Sequence, residues 1–246
     1  MTKPLFNLKS HASVLQRNIT RRNINLNGTN ILMIGKPQIG KSGDFEQNLQ
    51  TFNECLAILI DKTNPTDVFI MGNILDSQIS EKEKYLTLFL DSLLSYTCKI
   101  HVISGDDERL PICSYSNTQI DIIKEHVGIL NINQESSVFK LYITDCAGNA
   151  YDVSEDSGLR FTLFLQELLN RAIGQFSFLI SSYVEPSFID FYNRVASVGT
   201  FNFHENKIEY LLFDTKSFEI SIHSDLDTAE YTEIKPEIEK ESCLLI

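Results

Sequence analysis

Gly35-Lys36-Pro37-Gln38-Ile39-Gly40-Lys41-Ser42 follows the apolar run Ile31–Ile34 and has the spacing G-x-x-x-x-G-K-S. In that pattern loop amides and a lysine cradle a nucleotide's phosphates, so Gly35, Gly40, Lys41 and Ser42 are candidate cofactor-binding residues. Four more turns place polar groups where apolar runs stop. They are Gly72-Asn73-Ile74-Leu75-Asp76, Gly105-Asp106-Asp107-Glu108, Asp145-Cys146 and Ser181-Ser182-Tyr183-Val184. Carboxylates, amides and hydroxyls gathered in this way can hold a cation or hydrogen-bond a partner. Histidine, the usual transition-metal ligand, is scarce: His11, His101, His126, His204 and His223 all lie outside these turns.

The elements that position these turns follow from periodicity. Asn30–Ile34, Asp67–Met71 and Lys99–Ile103 read as buried strands. A helix carrying Phe45, Leu49, Phe52, Leu56 and Leu59 follows the first and closes at Asn64-Pro65. A second helix, Glu81–Tyr96, carries Leu86, Phe89, Leu90, Leu93 and Leu94. Strand, turn and helix in repetition demand an α/β fold with a parallel sheet, whose strand-end loops gather along one crevice. Further on, the reading gives a short helix around Ile120–His126, strands at Phe139–Thr144 and Phe176–Ile180, and a helix from about Gly158 to Ala172. Phe188–Val198, Lys207–Phe213 and Phe218–His223 read as short strands in antiparallel hairpins.

With 246 residues, 43% apolar and 22% charged, the chain can fill one core. Its net charge of −12 is uneven, because seven of the 21 Lys and Arg precede Asp44, the first of 33 acids. The remainder carries fourteen bases against those acids, a net −19, which argues against nucleic acid as a partner. Cys55, Cys98, Cys113, Cys146 and Cys243 lack metal or disulfide spacing and read as thiols of a reducing compartment. Residues 1–28 are expected to form a basic flexible arm, acid-free in a way that mitochondrial presequences also are. Residues 29–223 form the domain, and 224–246 an acidic tail.

Taken in order, the five turns resemble those of the calcineurin-like metallophosphoesterases, a two-sheet sandwich flanked by helices. Ile34–Gly40 stands where that family has I-S-D-L-H-I-G, and Gly72–Asp76 where it has G-D-x-x-D. Gly105–Glu108 stands for G-N-H-D, Thr144-Asp145 for T-H, and Ser181–Val184 for G-H-T-H. Ser197-Val198-Gly199 resembles the family's G-S-V-G, and the likeness spans residues 30–223. Gly72–Leu75 and Ile100–Asp106 look most like the phosphoesterase-fold small subunits of retromer, a trafficking scaffold.

The resemblance implies a two-metal site, and the substitutions remove its ligands. Such a centre needs several imidazoles and bridging carboxylates about 3.5–4 Å apart. Lys36 replaces an aspartate, Gln38 a histidine, Asn73 the bridging aspartate, and Ser182 and Val184 the last two histidines. Asp106 and Asp145 remain, and the Lys36 ammonium is expected to neutralise them where metal charge used to sit. The expectation is therefore a pseudoenzyme with no catalytic or metal residues and no cofactor, working as a protein-interaction scaffold in a larger assembly, with vesicle trafficking as the context that the resemblance implies. A divergent metal-dependent phosphoesterase and a P-loop nucleotide switch are the alternatives. For the latter, Lys140–Gly148 resembles the D-x-x-G switch of small GTPases. Against it, Asp145 comes after the strands it should precede, and no N-K-x-D is present. Cys243-Leu244-Leu245-Ile246 fits the prenylation signal C-a-a-X, which implies a cytoplasmic protein held peripherally on a membrane.

Overall fold

A computed structural model of the chain describes residues 21–26, 28–41, 44–105, 108, 112, 115–125, 127–134, 137–144, 177–182, 187–191, 194–203 and 207–224. Among them the first strands are β1 (Arg21–Leu26) and β2 (Asn30–Gly35), followed by helix α1 (Phe45–Thr63) and β3 (Asp67–Gly72). Helix α2 (Lys82–Ser92) runs into a 3-10 turn, Leu93–Ser95, and then β4 (Lys99–Ser104) and β5 (Ile120–Ile122). β6 (Val127–Gln134), β7 (Ser137–Thr144) and β8 (Ser177–Ser181) come next. The chain then makes β9 (Phe188–Asp190), β10 (Val195–Ser197), β11 (Phe201–Asn202), β12 (Lys207–Asp214) and β13 (Glu219–Ser224). The fold is mixed α/β.

The described strands form two sheets. One has the order β1-β6-β7-β8-β10-β9, the other β11-β12-β2-β3-β4-β5, with β13 paired to β12. β2, β3, β4 and β5 are parallel, as the repeated strand, turn and helix required. Period-two alternation divides their side chains between two clusters. Leu32, Ile34, Val68, Ile70, Ile100 and Val102 pack with Phe52, Leu56 and Leu59 of α1 and Leu86, Phe89 and Leu90 of α2. Ile31, Met33, Phe69, Met71 and Ile103 face the other way, onto Leu130, Ile132, Ile143, Phe178 and Ile180 of the first sheet. The second sheet is thus buried on both faces, which is why its strands read as continuous apolar runs.

Helix α1 starts at Asp44, whose carboxylate accepts from Glu46 N and Gln47 N. It ends at Asn64, in the left-handed region at φ 44°, whose N–H donates to Ile60 O. Phe52 projects from α1 into an aromatic cluster, 5.5 Å from Phe89 and 5.5 Å from Phe201 between ring centroids.

Three expectations change. Arg21–Leu26, assigned to the flexible arm, is a strand parallel to β6, with Ile24 and Leu26 buried between exposed Asn23 and Asn25. The helix expected around Ile120–His126 is instead β5, parallel to β4. Ile120 and Ile122 point inward on either side of a partly exposed Asp121, a period of two hidden by the length of three residues. The hairpins of Phe188–Val198 are only partly antiparallel, because β10 pairs antiparallel with β9 but parallel with β8. The helix expected at Gly158–Ala172 lies outside the described residues.

Candidate functional site

The carboxyl ends of β2, β3, β4, β8 and β10 lie along one rim across both sheets, and backbone contacts join them. Val198 N donates to Ser181 O at 2.8 Å, tying the end of β10 to that of β8. Gly35, the last residue of β2, bridges to Thr200. A Cβ on Gly35 would lie 2.4 Å from Gly199 O and 2.7 Å from Val198 O, so only glycine lets β2 reach that turn. Beyond it, the first turn runs alongside the turn after β3. Lys36 N donates to Met71 O at 2.7 Å, Gln38 N to Asn73 O at 3.2 Å, and Ile39 N to Ile74 O at 2.8 Å. The second turn is held in its own right by Glu108, 2% exposed, whose two carboxylate oxygens accept from Ile74 N at 2.9 Å and Leu75 N at 2.6 Å. Gly105 lies so close to Asn73 that a Cβ there would be 2.0 Å from Asn73 Oδ1.

These bonds bear on the nucleotide reading of Gly35, Gly40, Lys41 and Ser42. A phosphate cradle presents its loop amides to the ligand. Here the amides of Lys36, Gln38 and Ile39 donate to the neighbouring turn, Lys41 N donates to Gln38 O at 3.3 Å, and Pro37 has none. The start of α1, where a phosphate would sit, is already capped by the Asp44 carboxylate. Gly40 holds φ at 95° to bring the chain back past Ile79, which is a turn requirement rather than a ligand contact. Lys41 is exposed, and Ser42 lies outside the described residues. In the described part of the loop, the amides of Lys36, Gln38 and Ile39 thus extend the sheet.

The described donors do not fit two divalent cations either. The slots on the rim hold Lys36, Gln38, Asn73 and Ser182, a cation, two amides and a hydroxyl. Lys36 and Gln38 lie on either side of Pro37 with φ of 37° and 48°, a left-handed backbone that costs non-glycine residues energy and is held by the bonds to Met71 and Asn73. Ser181 and Ser182 are each 1% exposed, and neither hydroxyl has a hydrogen-bond partner. Among the described residues no three His, Cys, Asp or Glu side chains come together as a metal site. Asp106, Asp145, Val184 and Cys243 lie outside the described residues, as do His11, His126 and His204.

Sequence reasoning missed a hydrogen-bonded polar network between the two sheets. His101 is fully buried in β4, its ring stacked on Phe69 with centroids 4.3 Å apart. Its Nε2 lies 3.1 Å from Asp67 Oδ1 and its Nδ1 3.1 Å from Asp121 Oδ2. Arg22 on β1 completes the network, bonding Asp121 Oδ1 at 2.6 Å and Ile122 O at 3.0 Å, so it links the two sheets. The hydrogen bond from His101, aided by Arg22 and opposed by burial, holds the Asp121 carboxyl down at about 2. A single histidine inside the apolar run Lys99–Ser104 was the available signal. His223 sits apart, stacked on Tyr210 with Nε2 2.8 Å from Ser221 Oγ, and burial lowers its pKa.

Among the described residues no helix is long and apolar enough to cross a membrane. No protein-family model matches the chain, and no curated protein is found similar to it. Solved structures similar to it include a cold-active protein-tyrosine phosphatase of a psychrophile, Shewanella sp. That match has 10% identity over 84% of this chain and 82% of the phosphatase, with a TM-score of 0.41. A point mutant of a cold-active protein tyrosine phosphatase matches at 10% identity over 91% of this chain and 85% of that one, with a TM-score of 0.42. Likeness at this level assigns neither a family nor an activity.

Proposed function

We propose that the chain is a calcineurin-like metallophosphoesterase-type sandwich that has given up metal chemistry and serves as a scaffold for protein-protein interaction. The observation that carries this reading is the first strand-end turn. Where the resembling family supplies an aspartate and a histidine, Lys36 and Gln38 are held in left-handed conformations by Met71 O and Asn73 O. An ammonium at a ligand position repels a divalent cation, and a carboxamide is a poor substitute for imidazole. The setting in a larger assembly on the cytoplasmic face of a membrane, with vesicle trafficking as its context, comes from the likeness to the small subunits of retromer. Lipid on Cys243 belongs to the same proposal.

The test of lost chemistry is metal content of the purified protein together with hydrolysis of bis-p-nitrophenyl phosphate in excess Mn²⁺. The expected result is no bound metal near stoichiometry and no turnover above buffer. Stoichiometric metal with turnover that Asn73→Ala abolishes overturns the reading. Affinity purification from native membranes tests the scaffold role, and Cys243→Ser should shift the protein from the membrane to the soluble fraction. An unchanged distribution removes the anchor from the proposal.

A further inference from the structure

The second sheet turns its helices outward, and their outer face carries a feature that the rim does not explain. A groove of about 610 Å³ runs between α1 and α2, lined by Phe45, Leu49, Ala57 and Leu88 with Glu46 and Glu54 along the α1 side. Leu88 is 41% exposed and Ile58 49%, two of the three large hydrophobics that the described residues leave exposed. Ile58 lies one turn past Glu54 on the same row of α1 and so extends the apolar surface. We propose that this groove docks an amphipathic basic helix from a partner protein. The inference deepens the scaffold reading and rests on it.

Charge and length select that occupant. The apolar floor would bury hydrophobic side chains, while carboxylates at Glu46 and Glu54 would face Lys or Arg flanking them. Of the two lysines on the facing helix, Lys84 gives its ammonium to Glu81 at 3.2 Å and also feels the charge of Glu46, so Glu54 is the carboxylate best placed for a partner's cation. Glu54 accepts from Gln50 Nε2 at 2.9 Å, which leaves its charge available to an incoming cation. An anionic lipid surface or a nucleic acid meets the same carboxylates as repulsion. From Phe45 to Ala57 the groove spans about 18 Å of helix, the length of roughly three turns, which seats apolar residues spaced i, i+3 or i+4, and i+7.

The test is panning of a phage library of helical peptides against the full-length protein, followed by binding of the enriched peptides to variants. The expected peptides repeat apolar residues at helical spacing, carry Lys or Arg and lack acids. Their affinity should fall at least tenfold in Leu88→Glu and in Glu54→Lys, and stay unchanged in Asn25→Ser on the other sheet. Both altered side chains are exposed, and circular dichroism with thermal melting checks that the variants fold. Acid-rich enriched peptides, or binding indifferent to both substitutions, overturn the proposal. So does a dimer in sedimentation that Leu88→Glu dissolves, which assigns the groove to a second copy, or Leu88-dependent binding to phosphatidylserine vesicles, which assigns it to lipid. Affinity purification separates the two readings. If Leu88→Glu recovers the same partners as the unaltered protein, the groove is overturned and the scaffold stands. If the unaltered protein recovers none, the scaffold reading fails, and the panning result alone decides the groove.

Discussion

His101 shows how much of this fold rests on single polar residues. Its two ring nitrogens each face a carboxylate oxygen, one on β3 and one on β5, so one side chain ties three strands together. His101→Phe keeps the ring against Phe69 but leaves Asp67 and Asp121 without that donor. The expected loss is about 1–3 kcal/mol, the cost of leaving buried hydrogen-bonding groups without their partner. Urea unfolding with an unchanged slope measures it, and a loss below about 1 kcal/mol would show that the bonds contribute little. Asp121 adds a pH dependence of defined sign. Its folded pKa of about 2 lies below the unfolded value, so its contribution is complete above about pH 4 and is lost as pH falls toward 2. Acid unfolding of Asp121→Asn should therefore be flatter between about pH 4 and 2 than that of the unaltered protein, even though its stability at neutral pH is lower. A slope identical to that of the unaltered protein would remove Asp121 from this role.

The strand-end rim depends on close backbone approach, and two glycines on different elements separate that requirement from ordinary packing. On Gly35 an added Cβ meets backbone oxygens at 2.4 and 2.7 Å, which cannot turn aside. On Gly128 in β6 the nearest atom is Ile123 Cδ1 at 3.5 Å, an ordinary contact. Gly35→Ala should cost about 1–3 kcal/mol, whereas Gly128→Ala should stay within about 0.5 kcal/mol of the unaltered protein. Equal losses in thermal unfolding would show that β2 can move away from the Val198–Gly199 turn. The elements that the sequence revealed are those buried on both faces or amphipathic over several turns. β2, β3, β4, α1 and α2 all carry long apolar signals. β1 was hidden because Asn23 and Asn25 fill its exposed face, and β5 because three residues are too few for a period to show. β6 and β7 pair as a hairpin over eight residues each, but only the second half of that hairpin has an apolar run dense enough to read from sequence.

At the scale of the molecule, the two sheets share one core and, among the described residues, helices cover the outer face of the second sheet, so the rim and the helical groove are separate surfaces. The turns were legible because polar letters interrupt apolar strands at a regular interval. How they are held together was not, because the amides that tie the first turn to the second belong to the backbone and leave no mark in the letters. The same residues predict how the whole protein responds to metal. A ligand that binds the folded state alone stabilises it by about 2.7 kcal/mol at a hundredfold excess over its Kd. For a chain of 150–250 residues each kcal/mol moves Tm by about 2–4 °C, so a retained two-metal centre would shift melting by roughly 5–10 °C. With Lys36 and Gln38 on the rim, EDTA and excess Mn²⁺ should each leave Tm within about 1 °C of its value in buffer, because no site responds. A rise of several degrees in Mn²⁺ that EDTA reverses and Asn73→Ala abolishes would show that the rim holds metal and would overturn the proposed loss of metal chemistry.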